Sequence, residues 1–570
     1  MKKFIRRKRI IVFFLLLIFC FSFLVLKLFK IQIIEGGRYA VQAVKQRSHE
    51  YVLDTGRGDI LDRDGASLTD SYRKYVVVVF PALIENIENT LEALQIIFKE
   101  TNETAEIEFN INQGGEKAVS IASGIKANTA NYIRDRNIPG VVVAQEKVRY
   151  GSDSLASHLV GYVGNISREE LSERITKGYS LTDEVGISGI EKLFEEELRS
   201  RQPETVSVIL DAYNRFISGL GYRYRQPENN MSSLNVKLTL DSAIQKRVEE
   251  IMDKNIKKGA VVVMEPEGGD ILAMSSRPQL DQSNLNYEGN DFVNRCLQNY
   301  HPGSVFKVVV AAAALEQGDY NLKDYFICGG YIAIGTEKKQ CFQGLSHGEI
   351  TFREAMAYSC NTTFIDVGLS LGGQAVIDYA QKFGLGEKTG LYPLHLRERE
   401  ANTGYLPSVE EMPYQGHLAN NVLGQDKVLV TPLQVAQMFS IISNNGRLVE
   451  PRLVMELANN QGLTVKRYAS SMGQQVLHPT TVNQLKYMLI AVTQYGTGEE
   501  AAFDPWITAG KTGTAQTGIK VGEEEKSFSW FAGFTPIDNP AAVVVVLIEE
   551  GKGESASLVY NKIMSSIIER

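Results

Sequence analysis

The sequence predicts an α+β architecture, and three observations predict it. A strand-like run, Val236 to Leu240, meets Asp241 as a cap for the helical run SAIQKRVEEIMDKNI and then two β-rich runs, Gly259 to Glu265 and Ile271 to Met274. The turn residues Pro266-Glu267-Gly268-Gly269-Asp270 join those runs as a hairpin. Near the other end, Val543 to Ile548 reads as a strand and Ser557 to Ile567 as a helix, with helical material such as Gln434 to Ile442 in between. Strands at both ends with helices gathered between them describe an antiparallel sheet flanked by helices.

The elements in order begin with a membrane anchor. Lys2, Lys3, Arg6, Arg7, Lys8 and Arg9 precede Ile10 to Leu26, a run without charge. Leu28, Phe29 and Ile31 extend it, and Lys27 and Lys30 can reach the interface, so the span approaches the ~20 residues a bilayer needs. The sequence after it, Lys30-Ile31-Gln32-Ile33-Ile34, has no small-x-small cleavage site. The basic cluster places the N-terminus in the cytoplasm and the rest outside. Residues 1–9 are thus a tail and 10–31 a transmembrane helix.

Residues 32–228 have a different texture. Short β-rich runs (Tyr75 to Phe80, Val141 to Val143, Thr205 to Leu210) alternate with amphipathic helices such as Ile84 to Phe98 and Arg168 to Ile175. The polar stretch Gln226 to Asn235 reads as a linker, which sets a second domain at 229–570. A length of 570 residues calls for more than one core. With 60 basic and 67 acidic residues the net charge is −7, and the only long basic tract lies at the N-terminus, so nucleic acid is not an expected ligand.

Five cysteines are few for an exported chain. Cys328 and Cys341 frame a Gly-rich loop with His347 beyond it. Outside the cytoplasm a disulfide between them competes with free thiols. A metal is the third option, but these residues supply three of the four usual ligands.

The chemistry-bearing residues start with Ser304 and Lys307 in HPGSVFKVVVAAAALEQG. Three residues apart on a helix, they share a face, and a lysine desolvated among apolar neighbours can act as base toward a serine nucleophile. The pair alone is weak evidence. Two further elements follow in order: Ser359-Cys360-Asn361, and Lys511-Thr512-Gly513-Thr514 beside the aromatic run Phe528-Ser529-Trp530-Phe531, expected to wall the cleft. S-x-x-K, S-x-N and K-T-G together mark penicillin-binding proteins and class A β-lactamases.

The chain resembles the class B penicillin-binding proteins, the monofunctional peptidoglycan D,D-transpeptidases, along nearly its whole length. RGDILDRDG (Arg57 to Gly65), Arg149-Tyr150, ASHLVGYVG (Ala156 to Gly164) and GISGIEKLFE (Gly186 to Glu195) resemble that family's elongated mixed α/β pedestal, also called the dimerisation domain. LTLDSAIQ, NRCLQNYHPGSVFK, GQDKVLVTPLQVA and Gly496-Thr497-Gly498 resemble its transpeptidase domain. Ser359-Cys360-Asn361, Cys328, Cys341 and His347-Gly348 are similar to the division and sporulation members of Gram-positive bacteria. His301 and Val305 depart from the usual residues around the serine, though neither is asked to do chemistry.

The resemblance implies that Ser304 forms an acyl-enzyme on a stem peptide ending in D-Ala-D-Ala, with Lys307 as base. It further implies that Ser359 relays the proton to the leaving D-alanine and that Asn361 holds Lys307 and the substrate backbone. The N–H groups of Ser304 and Thr514 would form the oxyanion hole, while Lys511, Thr512 and Thr514 take the terminal carboxylate. Gly513 leaves room for the substrate along the strand. β-Lactams are the implied covalent inhibitors, and a multi-spanning glycan polymerase of the shape, elongation, division and sporulation type is the implied partner. No cofactor or metal is required by this scheme. The alternatives are a D,D-carboxypeptidase or β-lactamase with the same site, or a mainly structural partner of a polymerase. For Arg57, Asp62 and Arg63 a buried ionic network orienting the two domains is expected rather than catalysis.

Overall fold

The computed structural model describes residues 2–37, 39, 48–103, 117–181, 183–210, 221–226, 233–284, 291–389, 391, 403–521 and 524–569. Most of the expected linker, 227–232, lies outside the described residues. The N-terminal helix α1, Lys2–Phe29, continues into one wide turn, Lys30–Ile34. Ile10–Ile34 is the single helical stretch among the described residues long and apolar enough to cross a membrane, with mean hydropathy 2.9 and no buried residue.

The remaining chain packs as two units, and their membership does not follow chain order. One holds residues up to Gly56, Tyr72–Val148 and Ser200–Asn229. Its centre is strand β1 (Tyr72–Val79), flanked by β2 (Val119–Ile125) and β3 (Val141–Val148). Alternation along β1 sends Val77 and Val79 toward helices α2 (Ile87–Glu100) and α3 (Ala127–Arg136). Val76 and Val78 face the other way, against Val206 and Val208. The expected start of α2 shifts from Ile84 to Ile87, because Asn86 accepts the Asn89 N–H as its cap and Pro81–Leu83 forms a tighter turn.

The other unit comprises Arg57–Ser71, Arg149–Arg199 and Asn230–Arg570. Its main sheet is antiparallel and five-stranded. Helix α4 (Ser242–Asn255), capped by Asp241, leads into β4 (Ile256–Met264) and the hairpin partner β5 (Ile271–Arg277). The middle supplies helices α5 (Lys307–Gln317), α6 (Phe352–Ala357), α7 (Asn361–Leu371), α8 (Pro432–Ser443) and α9 (Pro479–Gln494). Strands β6 (Ala509–Val521), β7 (Glu524–Thr535) and β8 (Ala542–Gly551) then precede helix α10 (Ala556–Ile568). The strand order β5-β4-β8-β7-β6 brings the two ends of this region side by side at β4 and β8 and leaves β6 at the edge. One face is covered by α4 and α10 through Val248, Met252, Val559 and Ile563. The helical middle covers the other, with Val309, Phe439 and Leu485 in one continuous core.

The Arg57 segment is held in this second unit by ions. Arg57 donates to Glu191 at 2.7 Å and to Glu195 at 2.6 Å, and Arg149 also pairs with Glu191. The side chains are nearly solvent-free, and opposite charges so placed hold the Glu191 carboxyl below its usual range against the opposing cost of burial. Ile60–Leu61 adds a short parallel pairing to Val236–Lys237. Asp62 accepts the main-chain N–H groups of Asp64 and Ala66, and Arg63 approaches Asp270 at 3.6 Å.

Candidate active site

Ser304 sits on a single tight turn, Gly303–Phe306, that winds directly into α5, whose first residue is Lys307. The helix is buried along its length because its sequence is nearly all alanine and valine, so the Lys307 amine is carried into the interior. Three glycines let this turn approach the sheet. A Cβ on Gly303, whose φ is +53°, would stand 2.4 Å from the Thr514 carbonyl oxygen. One on Gly513 would lie 2.8 Å from both the Pro302 carbonyl and Val305, and one on Gly424 would lie 2.2 Å from the Gly303 carbonyl. Backbone therefore packs on backbone at the nucleophile, an approach that side chains would prevent.

The Ser359-Cys360-Asn361 segment joins α6 to α7. Ser359 has a positive φ of +54°, uncommon for a residue with a side chain and a mark of a conformation held by its surroundings. That conformation presents its carbonyl oxygen to Lys307 Nζ at 2.6 Å. Lys307 Nζ also donates to Asn361 Oδ1 at 2.6 Å and lies 3.3 Å from Ser359 Oγ.

Lys511 arrives from the edge strand. Along β6 the residues Lys511, Gly513 and Ala515 are buried, while Thr512 and Thr514 are more open. Lys511 Nζ donates to Ser359 Oγ at 3.0 Å and to the Thr512 carbonyl at 2.8 Å. The Thr512 hydroxyl is 3.3 Å from Lys511 Nζ and shares a 2.6 Å hydrogen bond with Thr497 of the Gly496-Thr497-Gly498 turn. Ser304, Lys307, Ser359, Asn361, Lys511, Thr512, Gly513 and Thr514 thus converge where α5, the α6–α7 junction and β6 meet.

Burial pushes the Lys307 amine down to about 8. Lys511, wholly buried and near Lys307, falls well below its ordinary value, by desolvation first and by the like charge second. One hydroxyl thus lies within hydrogen-bond reach of two amines. Ser359 Oγ can accept from both lysines, and its own O–H is then left to donate elsewhere.

One reading of the sequence is corrected by the packing. Trp530 and Phe531 do not wall the cleft: both are buried, Trp530 donating to the His301 carbonyl at 3.1 Å beneath the serine turn. His301 and Val305 serve packing, the His301 ring bonding the Val428 carbonyl and Val305 fully buried. Cys328 and Cys341 carry free thiols, one of the options the sequence leaves open. Each approaches His347 Nδ1, at 3.4 and 3.6 Å, and Cys360 joins them as a fourth donor. The sequence marks Cys360 only as the middle residue of the S-x-N element, and the fold adds it to this group. Thr497 was also missed as a partner of Thr512, although the Gly-Thr-Gly run was visible.

Known proteins match along this whole arrangement. A model described as the Penicillin binding protein transpeptidase domain matches residues 259–569, and one described as the Penicillin-binding Protein dimerisation domain matches 53–232. Stage V sporulation protein D of Bacillus subtilis is 30% identical over 96% of this chain and 82% of its own length. The peptidoglycan D,D-transpeptidase MrdA of Acinetobacter baumannii is 26% identical over 95% of this chain and 85% of its own. Among solved structures, a chain described under the structural coordination of polymerization and crosslinking by a peptidoglycan synthase complex aligns with TM-score 0.70 and 24% identity, covering 98% of both chains. With a serine turn, two buried lysines and a K-T-G edge strand in one place, the chain belongs to the class B penicillin-binding proteins, serine-type D,D-transpeptidases of peptidoglycan synthesis.

Proposed function

We propose that the chain cross-links peptidoglycan stem peptides through an acyl-enzyme on Ser304, with release of the terminal D-alanine. The observation that carries this reading is the Ser359 hydroxyl placed between Lys307 and Lys511. A neutral Lys307 has two N–H donors, enough for its 2.6 Å bonds to Ser359 O and Asn361 Oδ1. Its lone pair is then available to take the Ser304 proton as the hydroxyl attacks the donor carbonyl. The N–H groups of Ser304 and Thr514, brought together by the glycine contacts, suit the tetrahedral oxyanion, a contribution of about 3–4 kcal/mol per donor. Ser359 passes a proton to the departing D-alanine, whose carboxylate sits on Lys511, Thr512 and Thr514. A neighbouring stem's amine then takes the acyl group, and the same route runs in reverse.

The helix Ile10–Ile34 supports a single-pass anchor with a cytoplasmic N-terminus and an exterior catalytic domain. A multi-spanning glycan polymerase is the proposed partner, supported by the solved neighbour drawn from a synthase complex. Similarity to a sporulation protein, together with the resemblance of Ser359-Cys360-Asn361 and the Cys328/Cys341 loop to division and sporulation members, favours service in division or spore formation.

The full-length protein in detergent tests the reaction. Labelled penicillin should form one covalent adduct, mapped to Ser304, and stem-peptide donor with acceptor amine should yield cross-linked dimer and D-alanine. Hydrolysed donor without dimer would replace this reading by a D,D-carboxypeptidase, and no adduct would overturn it.

A further inference from the structure

We propose that Glu549, acting through the Tyr300 hydroxyl, is a positioning residue for the Ser304 nucleophile; the inference rests on the acyl-enzyme reading above. Tyr300 is buried four positions before Ser304, and its hydroxyl donates to Glu549 Oε1 at 2.6 Å. The same carboxylate takes Arg295 Nε at 2.9 Å and Lys258 Nζ at 2.8 Å. Arg295 belongs to the tight turn Arg295–Leu297 on the way to the nucleophile, Lys258 to β4 and Glu549 to β8. None of these groups takes part in the proton transfers around Ser304. An apolar contact would hold the same segments together without the cost of burying charge. A hydroxyl bonded to a doubly paired carboxylate does something an apolar contact does not: it fixes one atom in both distance and direction.

Glu549 owes its place to a slip in the sheet. Lys258 pairs with Glu550 and Gly259 with Ile548, so Glu549 is the extra residue of a bulge and has no counterpart of its own on β4. A bulge re-aims a side chain, and here the carboxylate meets the Tyr300 hydroxyl. The ring of Tyr300 is held as firmly as its tip. It stands edge-on to Phe528 and Trp530 of β7, with centroids 5.1 and 6.2 Å away. Its main chain exchanges two hydrogen bonds with Val430, each 2.9 Å.

The serine turn is thus held from two sides. The glycine contacts press it against β6, which carries the Thr514 N–H, and the Tyr300–Glu549 bond ties the chain leading into it to β8. Attacking oxygen and oxyanion donor come from different segments, and the strand order β8-β7-β6 is the ruler between them. A misplacement of about 1 Å at such a pair costs up to ~10²-fold in rate. Glu549 sets that distance through Tyr300 and touches no reacting atom.

Single-turnover acylation of the full-length protein in detergent by a fluorescent penicillin separates position from stability. The amplitude counts folded chains, and the rate at saturating penicillin reports the placement of the nucleophile. Tyr300→Phe deletes one hydroxyl and keeps the ring, so it should leave the amplitude and the half-saturating concentration within ~2-fold. The saturating rate should fall ~10-fold, the worth of a hydrogen bond to a charged group. Glu549→Ala should slow the rate at least as much in the unaltered background. In the Tyr300→Phe background it should add less than ~2-fold, since the two act as one unit. A Tyr300→Phe protein that keeps the full saturating rate, whatever its amplitude, would overturn the proposal and leave the acyl-enzyme reading standing. Rate losses that simply multiply in the double variant would overturn the route through Tyr300. Absence of any adduct in the unaltered protein would instead remove the acyl-enzyme reading itself.

Discussion

Two clusters of charge are buried in the same unit, and they are built on opposite principles. Around Glu191, two arginines face two carboxylates at 2.5–2.7 Å, so each charge has its counterion. Around Ser359, two lysines meet, and among the described residues no carboxylate acts on either amine: burial and neighbouring cysteine or lysine groups set them. The first arrangement keeps its groups ionised and stitches chain segments together. The second drives protons off amines and so prepares a base. Counterions mark where this protein needs permanence, and their absence marks where it needs a proton to move.

The sharpest break of this comparison is Ser304→Ala, which should abolish the penicillin adduct on a fluorescent gel while changing stability by no more than about 0.5 kcal/mol. Lys307→Met should cut the acylation rate by ~10²–10⁴-fold, measured by stopped flow. Its thermal midpoint should hold or rise, because an uncompensated buried amine gives way to an apolar chain of similar length. Glu191→Ala should do the reverse. Leaving Arg57 and Arg149 without their shared counterion costs ~3–5 kcal/mol in denaturant unfolding, with the acylation rate per folded molecule retained. A stability loss in Lys307→Met as large as in Glu191→Ala would erase the distinction.

A smaller effect follows from pH. Lys307 must be neutral to accept a proton, and burial brings its pKa down to about 8. Acylation should therefore rise about tenfold from pH 7 to pH 9 as the ammonium is lost. A flat profile would mean that another group carries the proton. The mildest perturbation is Thr497→Val, which removes the 2.6 Å partner of the Thr512 hydroxyl. About 1 kcal/mol, a several-fold loss in acylation by a substrate-like thioester, is expected, with stability unchanged.

The two clusters were unequally legible in the sequence. Ser304, Lys307, Asn361 and Lys511 announce themselves because catalysis restricts residue type and local spacing at once. Arg57 could be seen in a Gly-bracketed run, but its partners lie 134 and 138 residues away, a distance no local pattern spans. Strands Gly259 to Glu265 and Val543 to Ile548 were visible as apolar runs, yet only the sheet shows that they are neighbours. Trp530 was misread because it sits inside a run with an evident role, and which way a side chain points depends on what packs against it.

The interlocked glycines at 303, 424 and 513 bear on drug escape. On the proposed mechanism, the atoms a β-lactam meets first are the Ser304 and Thr514 amides, and the segments that carry them pack peptide against peptide at Gly303 and Gly513. No exchange of side chains can shift them without also shifting the seat of the natural substrate. Resistance in such an enzyme is then written on the exposed rim, or comes with a loss of wall synthesis. Inhibitor and stem peptide share a floor that mutation cannot redraw, and selection can tell them apart only where side chains begin.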